Sequence, residues 1–238
     1  MSDAVPWWQE AFAADYLHVY AHRDAAAAAA EIAGLAPHLG HGPVLDACCG
    51  NGRHLAALRA RGVAAVGFDW SRDLLAASGA PGFGARADVR EIPFVDGFSA
   101  VLVLFTAFGY FAEEDNARTL AGLARQVAPG GRLLLDLPDP ARVRATLVPQ
   151  SRKEVGGLVV DERRWLDGNR VLKEVRIQHP DGRLRTYTES VRLYAPDELT
   201  ALAIGAGLRV VERWASLRGA TADDGRHVWW LSPEPGAG

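Results

Sequence analysis

The sequence predicts an α/β fold, doubly wound around a mostly parallel sheet that ends in an antiparallel strand, with an antiparallel β cap inserted near its end. Three observations carry this. Between residues 44 and 137 short apolar runs alternate with helix-period segments, the rhythm of parallel strands covered on both faces. Between residues 155 and 193 that rhythm gives way to three alternating segments joined by Asp167-Gly168-Asn169 and Pro180-Asp181-Gly182, which are turn formers. After Pro196 a helical segment and two strand-like runs return to the first pattern.

Element by element, Trp7 to Ala36 reads as helical. Phe12, Tyr16, Val19 and Tyr20 recur at three- and four-residue spacing, an alanine run follows, and Pro37 and Gly40 punctuate the end. Val44–Ala47 is a short strand, Arg53–Ala60 a helix ended by Gly62, and Val63–Phe68 a second strand closed by Asp69. Ser71 is placed to cap a helix through Ala77. Phe83–Val89 and Ala100–Phe105 read as the third and fourth strands, and Glu113–Ala128 as a helix whose acidic start matches its dipole. Pro129-Gly130-Gly131 reads as a stop and turn before a fifth strand, Arg132–Leu137. The cap strands are Val155–Trp165, Arg170–His179 and Arg183–Leu193. A helix over Pro196–Ala206, strands Leu208–Ser216 and Arg226–Ser232, and a disordered tail from Pro233 complete the chain. The expected organisation is a helical lid over residues 1–40, a sheet domain over 41–150 and 195–233, and the cap over 151–194.

Composition narrows the function classes. The chain has 238 residues, 49% apolar and 23% charged, which is ordinary for a globular protein with its own core. A formal charge of -3 argues against broad nucleic-acid binding. The cysteines, Cys48 and Cys49, are adjacent, which excludes a disulfide framework and leaves no metal cluster of cysteines. No apolar run reaches the length of a membrane span, and the start lacks a signal-peptide pattern, so a cytoplasmic protein, monomer or homodimer, is expected.

The chemistry concentrates in Val44–Ser71. A strand ends in Asp46-Ala47-Cys48-Cys49-Gly50-Asn51-Gly52, a helix opens behind it, and the next strand ends in Asp69, 23 residues after Asp46. Gly50 and Gly52 allow close backbone approach to a ligand, and the helix offers its free amides. An acid at the second strand end suits the two hydroxyls of a ribose. The third glycine of the dinucleotide fingerprint would fall at position 55, which is Leu55. A carboxylate ahead of the glycines suits a cationic ammonium or sulfonium better than a pyrophosphate. The plain alternative is a tight turn whose glycines serve chain reversal alone.

On these residues the chain resembles the class I S-adenosylmethionine-dependent methyltransferases, Rossmann-like in fold. It is similar to bacterial small-molecule members such as the glycine and amino-sugar N-methyltransferases. The resemblance implies S-adenosylmethionine as cofactor, S-adenosylhomocysteine as product, a small-molecule acceptor and no metal. It implies that Asp46, Gly50 and Gly52 form the cofactor loop and that Asp69 holds the ribose. Asp88, in Ala87–Phe94, would face the adenine amino group, with the Val89 backbone at the ring and Trp70 flanking it. Phe105 would touch the methionine portion, and Thr106, Phe108 and Tyr110 would face the acceptor. The chain departs from the commonest pattern at Cys48, where many members have glycine; small buried filler is the plain account of it.

The same resemblance closes an N-terminal helix over the site. Tyr16 and Tyr20 share a helix face. Arg23 suits a carboxylate of cofactor or acceptor; a solvated helix end is its plain alternative. His22 and His18 are candidate proton acceptors near neutral pH, and His54 is expected to shape the cofactor pocket. Tyr16, Tyr110 and His22 are the candidate catalytic residues; Tyr20, Arg23, Cys48 and His54 join the cofactor set. Arg163, Arg164, Arg176, Arg183, Arg185 and Arg192, with Trp165, give the cap either a solvated face or an anion-binding one. Three competing functions stand beside methyl transfer: a nicotinamide oxidoreductase, a non-catalytic S-adenosylmethionine-binding protein, and an RNA or protein methyltransferase.

Overall fold

In the computed structural model, which describes residues 5–78, 84–95 and 97–235, seven strands form one sheet in the order β10-β11-β5-β4-β1-β2-β3. They are β1 (Val44–Ala47), β2 (Ala65–Asp69), β3 (Gly84–Arg86), β4 (Phe98–Val103), β5 (Val127–Pro138), β10 (Leu208–Trp214) and β11 (Arg226–Pro233). β1 to β5 pair in parallel, and β11 runs antiparallel to both β5 and β10. Neighbours along each strand face opposite ways. Val101, Val103, Leu133 and Leu135 join one core with Leu120, Leu123 and Leu199, from α6 (Glu113–Arg125) and α8 (Pro196–Gly205). Ala100, Leu102 and Leu134 join the other with Ile32, Leu35, Leu55 and Leu58, from α3 (Ala25–Leu35) and α4 (Arg53–Ala60). The sheet is covered on both faces, as the apolar runs predict.

Several elements depart from the sequence reading for local reasons. The N-terminal helical segment is three helices: α1 (Trp7–Ala11), α2 (Asp15–Val19) and α3. Asp24 breaks the run, since it is extended and its carboxylate caps α3 by accepting from the Ala27 amide at 2.8 Å. α6 ends at Arg125, three residues early, because Val127 is already paired with Phe98. Pro129-Gly130-Gly131 does not end a segment but lies within β5, where the register jumps from Phe98↔Val127 to Ala100↔Arg132. The third strand keeps only Gly84–Arg86, and Phe83 lies outside the described residues. The fourth stops at Val103, because Phe105 and Thr106 take left-handed backbone conformations (φ 54° and 64°). Of the tail, Pro233 closes β11, and the final three residues lie outside the described residues. α5 (Arg72–Ala76) is capped by Ser71 as expected, and a short α7 (Pro140–Thr146) follows β5.

A second, antiparallel sheet has four strands where the alternation predicts three: β6 (Gln150–Val155), β7 (Leu158–Asp167), β8 (Arg170–Gln178) and β9 (Leu184–Arg192). β6 escapes the pattern because Gln-Ser-Arg-Lys-Glu gives an edge strand no apolar face. One face of this sheet buries Leu158, Val160, Val175, Ile177 and Tyr187 against Ala11 of α1 and Val19 of α2. α1 and α2 are thus held between the two sheets, above the carboxyl ends of β1, β2 and β4.

Candidate active site

That position is where open α/β sheets bind ligands, and a cavity of about 490 Å³ lies there. β1 delivers Asp46 to its floor. The residue is 1% exposed, and its Oδ2 has no hydrogen-bond partner. Burial pushes its carboxyl up to about 7, against the opposing pull of the Arg53 guanidinium. Cys48 and Gly50 follow in left-handed conformations (φ 61° and 57°), turning the chain sharply beneath the cavity. A Cβ on Gly50 would meet only Leu74, at 3.8 Å, so the space over this turn is free for a ligand. The Asp69 carboxylate receives the Gly50 amide on one oxygen and the Ser71 amide on the other, both at 2.8 Å. Each oxygen keeps a lone pair for a further donor. Burial raises its pKa and the two amides pull it back.

Leu55, which breaks the dinucleotide fingerprint, has its explanation across the helix–strand contact. It is 2% exposed and packs on Gly67 of β2. A Cβ at Gly67 would lie 2.9 Å from the Leu55 Cδ1 and 2.8 Å from the Asp46 carbonyl. The small residue needed for close packing therefore sits on the strand and not on the helix.

Just past the end of β4 comes the strained pair Phe105–Thr106. The Phe105 amide donates to the buried Asp136 carboxylate at 2.7 Å, and Arg226 of β11 clamps the same carboxylate, one contact being 2.6 Å. The Phe105 ring lines the cavity with Arg53 at 4.2 Å and Arg23 at 5.0 Å from its centroid. His54 stacks on this ring at 5.5 Å and bonds Glu31 through Nε2 at 2.8 Å; burial lowers its pKa. Asp88 and Val89 lie at the far side with Trp70. Both Asp88 oxygens are engaged by Arg90, at 3.0 and 2.6 Å.

Opposite the loop, the wall is aromatic. α1, α2 and the residues that close them contribute Trp8, Phe12, Tyr16 and Tyr20; the segment after β4 contributes Tyr110 and Phe111. Phe12 stacks on Tyr110 at 6.0 Å, and Tyr16 packs on Phe12 and Tyr20 at 5.3 and 4.6 Å. The Tyr16 hydroxyl accepts from Arg23 at 2.9 Å. Burial raises the Tyr20, Tyr110, Cys48 and Cys49 pKa values, so all four groups stay protonated near neutrality. The cysteines are neutral thiols, poorly suited to attack.

A methyltransferase-domain family model matches residues 20–213. The chain belongs to this family. A demethylmenaquinone methyltransferase of Thermus thermophilus is 33% identical over 184 residues, 70% of this chain and 74% of that protein. Among solved structures, the CcbJ methyltransferase from Streptomyces caelestis superposes with a TM-score of 0.73 at 20% identity, covering 86% of this chain and 89% of that one. CalS10, an amino pentose methyltransferase from Micromonospora echinaspora solved with S-adenosylmethionine bound, gives 0.69 at 22% identity over 91% and 95%. The class I S-adenosylmethionine-dependent resemblance read from the sequence holds, and so does the Rossmann-like fold.

The methyltransferase gathers most of its sequence-singled residues on one cavity. Tyr16, Tyr20, Arg23, Asp46, Cys48 and Gly50 line it, as do His54, Asp69, Trp70, Asp88, Val89, Phe105 and Tyr110. His22 does not: it is exposed beyond α2 and outside the lining, its ring 6.1 Å from that of Tyr20. Gly52 stands behind the lining, capping α4 with φ 72°. Phe108 is core, 2% exposed and 5.7 Å from Tyr194; Thr106 is also absent from the lining. His18 abuts Gly156 in the turn between β6 and β7. Trp8, Phe12 and Arg53 are lining residues that sequence reasoning did not single out for the site. Arg53 had a signal, as the first helical residue behind the glycines; the rings of α1 had none beyond their helical spacing.

The second sheet ties down the N-terminal helices. Arg185 bonds the Asp15 carboxylate and the Glu10 carbonyl, and Lys153 reaches the Val19 carbonyl at 3.2 Å. Lys173 donates to the Tyr20 hydroxyl at 2.7 Å and pairs with Glu189 at 2.7 Å. Of the cap arginines, Arg164 pairs with Glu162, Arg183 with Asp181, and Arg192 with Glu113 and Glu198, while Arg163 lies over Trp165. Arg163 and Arg176 are exposed and make no ion pair among the described residues, while the other four are paired with carboxylates, so most of the strip's positive charge is neutralised.

Proposed function

We propose that the chain methylates a nitrogen or oxygen of a small molecule seated against its aromatic wall. The observation that carries this is the polarity of one cavity: an unpartnered buried carboxylate at one end and clustered rings at the other. Asp46 fits the ammonium of S-adenosylmethionine, Asp69 its ribose hydroxyls, and the Gly50 turn its close approach. Arg23 and Arg53 fit its carboxylate, and Trp70 with Val89 the adenine. Bound there, the cofactor supplies an electrophilic methyl on a sulfonium.

The chain's own contribution is placement. Trp8, Phe12 and Tyr110 orient the acceptor by face and edge contacts and exclude water. The Tyr16 hydroxyl, held by Arg23, stands in the wall beside Phe12 and faces the acceptor. The Tyr20, Tyr110, Cys48 and Cys49 groups of the lining all hold their protons near neutrality, which suits a neutral amine or an acidic hydroxyl as nucleophile. Holding the acceptor in line provides most of the rate. We read the N-terminal helices as the lid and residues 151–194 as the cap that braces it. No helix among the described residues is long and apolar enough to cross a membrane. The two free cysteines support a cytoplasmic setting.

Calorimetry with S-adenosylhomocysteine and with NAD tests the cofactor assignment: the first binds and the second does not. NAD binding alone would overturn it. A panel of amines, amino sugars, phenols and quinols against bulk tRNA, with labelled methyl as readout, tests the acceptor class; label in tRNA alone would overturn it.

A further inference from the structure

Tyr110 and Phe111 face the cavity from a segment with no regular secondary structure, so their backbone carbonyls need partners from elsewhere. Those partners come largely from one side chain of the second sheet. Arg170, the first residue of β8, donates Nη2 to the carbonyls of Gly109 at 3.0 Å and Tyr110 at 3.2 Å, and Nη1 to that of Phe111 at 3.2 Å. The guanidinium is itself fixed by Ser190 of β9, whose hydroxyl takes Nε at 2.7 Å and whose carbonyl takes Nη2 at 3.0 Å. Two further contacts close the clamp. The Arg192 amide donates to the Gly109 carbonyl at 2.9 Å. Buried Asn116 of α6 exchanges hydrogen bonds with the Phe111 backbone at 3.2 and 3.0 Å. Gly109 permits the approach: its φ is 94°, and a Cβ would sit 3.2 Å from the Arg192 carbonyl.

We propose that Arg170 is a positioning residue of the methyltransferase: through three consecutive carbonyls it sets where the Tyr110 and Phe111 rings stand in the acceptor wall. The planar fork is what spans them; a lysine ammonium is a single point and reaches fewer. With Lys173 and Arg185 holding the N-terminal helices, the second sheet then fixes both aromatic walls of the acceptor end. Arg170 makes none of its hydrogen bonds to β1, β2 or the Gly50 turn, which carry Asp46 and Asp69. It bears on the adenine side only indirectly, through the Phe111 ring that packs on Trp8 and lies under Arg90. Loss of Arg170 therefore separates the two ends functionally. The proposal rests on the acceptor reading above, and its test is chosen so that the two fail differently.

The test labels the protein with 3-fluorotyrosine, which gives five fluorine resonances for five tyrosines, and assigns Tyr110 with Tyr110→Phe. In Arg170→Met the Tyr110 resonance is expected to shift or split, while S-adenosylhomocysteine binds with wild-type affinity. Arg170→Lys, the milder variant should Arg170→Met not fold, is expected to move the same resonance. Millimolar methylguanidinium is expected to return it towards its wild-type position in Arg170→Ala. With any acceptor the panel yields, KM rises more than cofactor affinity changes, and kcat/KM falls by up to about 100-fold, the cost of roughly ångström misplacement. A Tyr110 resonance unmoved in both Arg170→Met and Arg170→Lys overturns the proposal. So does a loss of S-adenosylhomocysteine binding equal to the loss of turnover, which marks a general structural role. Failure of the wild-type protein to bind S-adenosylhomocysteine would instead sink the functional reading, leaving the Arg170–Tyr110 linkage measurable on its own.

Discussion

Replacing Asp46 by asparagine removes one buried charge and asks whether the cavity floor is built for a cation. The carboxyl has a pKa of about 7 in the folded chain against 3.8 for the free group. Between those values the folded state keeps a proton that the unfolded state has lost, so stability falls as pH rises. The penalty is absent below about pH 4 and complete above about pH 7; three units correspond to roughly 4 kcal/mol. A bound ammonium needs the ionised form. At pH 6 binding must therefore expel about 0.9 proton, and at pH 8 about 0.1, so affinity at pH 6 is roughly tenfold weaker. Calorimetry with S-adenosylhomocysteine in buffers of different ionisation enthalpy counts the protons directly. Asp46→Asn is expected to bind weakly at both pH values with no proton release from this site, and its urea midpoint is expected to fall less from pH 5 to 8 than that of the wild type. Wild-type binding without proton release and with pH-independent affinity would refute the assignment of Asp46 to the cationic group.

Other consequences are as direct. Asp69→Ala should weaken S-adenosylhomocysteine binding by roughly 1–3 kcal/mol through lost ribose hydrogen bonds; unchanged calorimetric affinity would mean the ribose lies elsewhere. Tyr16→Phe and Tyr110→Phe should each lower turnover while leaving that affinity intact, and wild-type turnover in both removes the hydroxyls from the chemistry. Asp136→Ala strands the partly buried Arg226 and frees the Phe105 amide, so denaturant unfolding should show a loss of about 3 kcal/mol. A loss within experimental error would show that the pair does not hold the strained turn.

What the sequence made legible was what is written in local pattern. Strand and helix order between residues 44 and 137 follows from apolar period, and Asp46, Gly50 and Asp69 follow from where those strands end. β6 was hidden because an exposed edge strand of Gln-Ser-Arg-Lys-Glu carries no alternation. The break at Asp24 was hidden because a cap outweighs the helix propensity of the alanines that follow it. In the site, Trp8 and Phe12 share their helical spacing with any core residue, and only tertiary packing turns them to a cavity. His22 was recommended by its chemistry alone, and the fold leaves it exposed beside Tyr20 at the edge of the lining. Arg170 was one arginine among many, distinguished by three carbonyls some sixty residues earlier in the chain.

The contact between Leu55 and Gly67 bears on how such loops are sorted. The fingerprint that tells dinucleotide sites from others is written along one helix, yet the constraint it encodes belongs to two surfaces. Here the side chain and the gap have changed places, and the distance between helix and strand stays short. Positions 55 and 67 are therefore coupled, although the Asp46 carbonyl and the Cys49 Cβ also hold position 67 small. Gly67→Ala alone should clash with Leu55, the Cys49 Cβ and the Asp46 carbonyl together, whereas Gly67→Ala combined with Leu55→Ala should recover part of the loss. A motif spanning both positions would sort these proteins by geometry, where a count of glycines sorts them by spelling.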